Sequence, residues 1–153
     1  AYQTTLPTDG DWLAYMFTYD GDPLYAELGQ NVCPAPGEWM ELRFDWMVRT
    51  NESSSCASTG VPNWMNVRIQ PFPDDSSVLW HVAWSDVCPL LTPSGDSFQD
   101  TTGWQEAVVW FEGPAAPDFD EERLVFTVGG YNAAGWVGLI DNVQLNPLDD
   151  GSE

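Results

Sequence analysis

The chain has 153 residues, 43% hydrophobic and 14% aromatic with nine tryptophans, which is one domain's length with ample material for a core and excludes global disorder. Twenty-four acidic residues face four arginines and no lysine, a formal net charge of −20. That balance excludes nucleic acid and anionic membrane as partners, since both are held by Lys and Arg neutralising phosphate, and no stretch approaches the roughly 20 apolar residues of a membrane-spanning helix.

Turn signals recur about every ten residues, with no internal repeat and no useful helical period, which is an all-β pattern in a single domain over 1–153. Residues 1–10 are polar and could extend as an added strand onto a neighbouring copy. Residues 12–19, in which Trp12, Ala14, Met16 and Thr18 alternate, read as an ordinary first strand of the chain's own sandwich. Residues 26–32 and 37–50 follow as strands. In 39–49, Met40, Leu42, Phe44, Trp46 and Val48 share one face and form core, while Glu41, Arg43, Asp45, Met47 and Arg49 share the other with Trp39.

The loop 51–62 is Ser-rich and carries an N-x-S sequon at Asn51, Glu52, Ser53. With Ala1 read as a mature terminus left by signal-peptide cleavage, it suggests a secreted or cell-surface protein. Two strands, 64–72 and 78–87, flank the turn Pro73, Asp74, Asp75, Ser76, Ser77. In the first, Met65, Val67 and Ile69 point inward and Trp64, Asn66, Arg68 and Gln70 outward. In the second, Trp80, Val82 and Trp84 are core, with His81, the only histidine, opposite. This hairpin brings the start of one strand beside the end of the other, so a disulfide between Cys56 and Cys88 is expected at one end of the sandwich, leaving Cys33 free and buried. Strands at 103–113 and 123–128 surround the solvated acidic loop 118–122, a last strand covers 135–145, and 147–153 is an acidic tail.

The closing stretch GWVGLIDNVQL, the early strand AELGQNV, the "apolar-x-Phe-Asp" strand GEWMELRFDWMVRT, the "Gly-Trp-Gln" strand GWQEAVVWFEG and the penultimate "Leu-x-Phe" strand at 123–128 stand in the order of a known family. Over residues 24–146 the chain resembles jelly-roll, galactose-binding-like carbohydrate-binding modules. The resemblance implies an all-β jelly-roll β-sandwich of two antiparallel sheets, a structural packing role for Trp104, and glycan binding on the concave face of one sheet. It also implies a structural calcium, with Asp141 as ligand by match to the first Asp of the closing strand. The family's usual N-terminal Asn-x-Gly-Phe-Glu partner segment is missing; Asp9, Asp11, Asp20 and Asp22 could substitute, and they also read as turn formers.

Glycan recognition needs flat rings to stack on sugar faces and planar donors and acceptors to read hydroxyl pairs. If strands 39–49 and 64–70 lie in one sheet, then Trp39, Arg43, Asp45, Trp64, Asn66, Arg68 and Gln70 form such a platform. The same arginines also read as members of cross-strand ion pairs on an acidic surface. A lone histidine and the absence of G-x-S-x-G or zinc signatures leave no catalytic constellation. The expected function is a non-catalytic glycan-binding module, secreted or on the cell surface. The alternative is a self-assembling structural subunit of a surface layer, filament or adhesin, whose partners are copies of itself.

Overall fold

The computed structural model describes residues 14–17, 24–32, 37–50, 64–70, 78–92, 100–113, 122–130 and 137–148. These carry nine strands: β1 (Ala14–Phe17), β2 (Leu24–Val32), β3 (Trp39–Thr50), β4 (Trp64–Gln70), β5 (Val78–Ala83), β6 (Asp100–Thr101), β7 (Gln105–Glu112), β8 (Glu122–Gly130) and β9 (Val137–Pro147). One helical turn, α1 (Trp84–Val87), and a 3-10 turn at Cys88–Leu90 follow β5. Among the described residues no helix is long and apolar enough to cross a membrane.

The first sheet runs β1-β9-β3, with β6 and β7 pairing successive parts of the far edge of β3; the second runs β2-β8-β4-β5. Leaving aside the two-residue β6, first strand pairs with last (β1 with β9), second with second-last (β2 with β8), then β3 with β7 and β4 with β5, all antiparallel. That nested pairing, rolled so that β9 also meets β3 and β8 also meets β4, is the jelly roll the sequence implied.

Alternation in β3 and β4 fills the space between the sheets as expected. Leu42, Phe44, Val48, Met65 and Val67 are sealed from solvent, and Leu124, Phe126 and Val128 of β8 join them. Phe44 ties the layers together by packing edge-on against Trp80 (centroids 5.1 Å) and Phe126 (5.3 Å). Trp84 is buried as expected, but the second strand of the hairpin ends at Ala83 rather than Val87. Asp86 Oδ2 accepts from the Ala83 backbone N–H at 2.9 Å, and Pro89 enters the following 3-10 turn, so a helical turn replaces the strand end. Cys88 sits in that turn, partly buried against the core; Cys33 and Cys56 lie outside the described residues.

β9 departs from strict alternation. Between Asp45↔Asp141 and Arg43↔Gln144 its register slips by one residue, a bulge in which Asn142 takes a φ of 51°. Asp141 Oδ1 accepts from the Asn142 N–H (2.8 Å), and Gln144 Nε2 donates to Asn142 Oδ1 (3.0 Å). The extra residue lets Ile140 and Leu145, five apart, both face the core.

Candidate functional site

β3 and β4 belong to different sheets, so the seven residues expected on one platform are divided between opposite outer faces of the sandwich. Alternation assigns a side chain to a face of its own strand and carries no information about which sheet the strand joins.

Trp39, Arg43 and Asp45 lie on the outer face of the first sheet. Trp39 is 53% exposed, as is the neighbouring strand's Trp110 at 64%. Glu41 organises this region: its Oε1 accepts from Arg43 Nε at 2.6 Å and its Oε2 from Trp110 Nε1 at 3.0 Å, while a second Arg43 nitrogen reaches Glu106 at 3.4 Å. The Arg43 and Trp110 hydrogen bonds, with the Arg43 charge, hold the Glu41 carboxyl below its ordinary pKa, and the same partnership raises the Arg43 guanidinium. This is the ion-pair arrangement that the sequence offered as the alternative reading. Met47 and Arg49, placed on the same outward face by alternation, are buried instead, with Leu139 opposite Met47, and desolvation lowers the Arg49 guanidinium. Asp141, the expected calcium ligand, is buried opposite Asp45 and holds the β9 bulge. Among the described residues no three His, Cys, Asp or Glu side chains gather as a metal site, and Asp9, Asp11, Asp20 and Asp22 lie outside them.

Trp64, Asn66 and Arg68 share the outer face of the second sheet; Gln70 follows in β4 at the position opposite Arg123, its side chain outside the described set. The face is ordered in rows across the strands, spaced by about 6.7 Å along them. In the first row Trp64 faces Gly129, and the indole lies over that glycine so closely that a Cβ there would meet the ring. His81, exposed, stacks on the far side of Trp64, with centroids 6.3 Å apart and planes 29° apart. In the second row Asn66 pairs with Thr127, both at least nine-tenths buried, and among the described residues neither Asn66 Oδ1 nor Thr127 Oγ1 has a hydrogen-bond partner. In the third row Arg68 faces Val125, which faces Gly29, and the guanidinium of Arg123 lies over Gly29 just as Trp64 lies over Gly129. The absence of a side chain at these two positions clears a bed for one flat ring and one flat cation.

Arg123, Thr127, Gly29, Gly129 and His81 are therefore members of this face that strand-by-strand reading passed over. The alternation of Arg123, Val125 and Thr127 was visible in the sequence; what was missing is the pairing of β8 between β2 and β4.

No known family's sequence description matches the chain, and no curated protein matches it. Among solved structures it is similar to one described as "CBM4 structure and function", with 14% identity, a TM-score of 0.42, and coverage of 80% of this chain and 61% of that one. It is also similar to "Family 16 Carbohydrate Binding Module-2", with 19% identity, a TM-score of 0.44, and coverage of 92% and 79%. The chain thus spans less than two thirds of the first. The likeness is one of fold, and here the nested strand pairing itself defines that fold as a jelly-roll β-sandwich.

Proposed function

We propose that this protein is a non-catalytic carbohydrate-binding module whose ligand lies on the outer face of the second sheet. The observation that carries the reading is the pair Asn66 Oδ1 and Thr127 Oγ1. Buried polar atoms cost about 1–3 kcal/mol each when left without a partner, so two adjacent ones on a sheet face are retained for a group arriving from outside. Sugar hydroxyls both donate and accept, and the flat Trp64 indole one row away supplies the stacking surface. Three of the residues expected from the sequence, Trp64, Asn66 and Arg68, belong to this site, with Gln70 next to them in register.

The test pairs affinity with stability. Trp64→Ala should weaken glycan binding by about 1 kcal/mol, roughly fivefold, with little change in melting temperature. Thr127→Val keeps shape and removes the unpaired hydroxyl, so it should raise stability by about 1 kcal/mol while lowering affinity. A Thr127→Val protein that melts lower and binds glycans as before would assign these polar atoms to the fold and sink the proposal.

Secretion or a cell-surface location fits this reading, as does a Cys56–Cys88 bridge: Cys88 lies just beyond Ala83, the partner of Trp64 at the start of β4. A calcium at Asp141 remains a proposal resting on the family resemblance.

A further inference from the structure

Resting on the glycan-binding reading, we propose that the ligand is a largely neutral glycan bearing isolated carboxylates, a uronate-substituted chain, and that Arg123 with Arg68 receives the carboxylate.

The first ground is the distribution of charge. With 24 acidic residues against four arginines, a surface position on this chain is far more often acidic than basic. The outer face of the first sheet follows that rule, with Glu41, Asp45, Glu106 and Asp141 around Arg43. The second sheet reverses it. Two of the four arginines stand on it, Arg68 in the third row and Arg123 in the next with its guanidinium over the third, and across the paired positions of β2, β8 and β4 on that face the only acid is Glu27, at the register position opposite Thr127. Even with Glu27 counted, the balance is positive where the rest of the molecule is strongly negative.

The second ground is Arg123 itself. It is exposed, and among the described residues it makes no ion pair, although carboxylates outnumber cations sixfold in this chain. Its guanidinium is held along the sheet over Gly29, in the row of Arg68, instead of reaching outward to an acidic neighbour. A planar fork fixed in this way matches a carboxylate in bidentate geometry, which a lysine would not do.

The third ground is spacing. Trp64, the Asn66/Thr127 pair and the two arginine head groups succeed one another along the strands at about 6.7 Å per row, so a short oligosaccharide laid along them reaches all three. A ring stacked on Trp64 would place the next ring's hydroxyls over the polar pair and a charged substituent at the arginines. Continuous polyanions are disfavoured: at −20 the molecule repels them over a Debye length of about 8 Å, whereas one carboxylate at contact distance outweighs that field.

An array of neutral and uronate-bearing oligosaccharides, followed by calorimetry, tests this. The best uronate-bearing ligand is compared with the same molecule after its carboxyls are reduced to alcohols, against wild type and Arg123→Gln. Reduction of the ligand and Arg123→Gln should each lower affinity about tenfold, and together no further, with the melting temperature unchanged. If neutral and uronate-bearing glycans bind alike, or Arg123→Gln binds as wild type, the carboxylate assignment is overturned while the glycan site stands. Tighter binding of polygalacturonate than of a sparsely substituted chain overturns the preference for isolated charges. If no glycan binds, both proposals fall.

Discussion

Glu41 is the residue whose behaviour differs most from what its position in the sequence suggests. It occupies an outward strand position, where a carboxylate ordinarily does nothing but solvate, yet it accepts from Arg43 and Trp110 at once. Its pKa is depressed, so whatever stability it contributes is present above its unfolded value, near 4.5, and is lost as pH falls through the lower folded one. In a carboxyl-detected NMR titration Glu41 should therefore protonate after the other glutamates, and the Trp110 indole N–H should shift over the same pH range. Glu41→Gln should abolish that coupled shift, and a Glu41 that titrates with its neighbours would show the network to be broken in solution. The role of Trp110 could not be read from the sequence, because the indole's partner is on another strand, 69 residues away. On the second sheet the legible residues were those that alternate within β4. Gly29 and Gly129 were silent, because a missing side chain has meaning only once the ring or guanidinium lying over it is known.

At the level of elements, period-two patterning predicted the inward residues of β3 and β4 in full, while turn punctuation and the family resemblance located the other long strands. It could not predict which strands join. That choice depends on the pairing of residues distant in sequence, and it separated Trp39, Arg43 and Asp45 from Trp64, Asn66 and Arg68. The β9 bulge shows the same limit on a smaller scale: Ile140 and Leu145 are out of phase in a regular strand, and the left-handed Asn142 restores the phase. Asn tolerates this conformation and a β-branched residue does not. Asn142→Val should consequently cost about 1–2 kcal/mol, a drop of a few degrees in melting temperature, while Asn142→Gly should stay within about 0.5 kcal/mol of wild type. Equal effects of the two substitutions would mean that the hydrogen bonds of Asn142, rather than its backbone, support the strand.

For the whole molecule, the opposed outer faces divide labour between a pinned, acidic surface and a cleared, locally cationic one. A Cys56–Cys88 link at the β4–β5 end would belong to this scale because it would close a long loop: non-reducing peptide mapping should recover Cys56 joined to Cys88, and reduction should lower stability by roughly 3 kcal/mol. A Cys33–Cys88 fragment would instead place the early strand at that end. The nested pairing also has a consequence for biosynthesis. β9, the last-made of the nine strands, lies between β1 and β3, so Ala14 must wait for Ile140 and Arg49 for Val137. A ribosome releasing this chain therefore holds a first sheet with a gap through its middle until β9 has emerged, while β4 and β5 can already form their local hairpin. Acquisition of the native state is then governed by the slowest, longest-range closure, and the exposed edges of β1 and β3 are what a chaperone would meet in the interval.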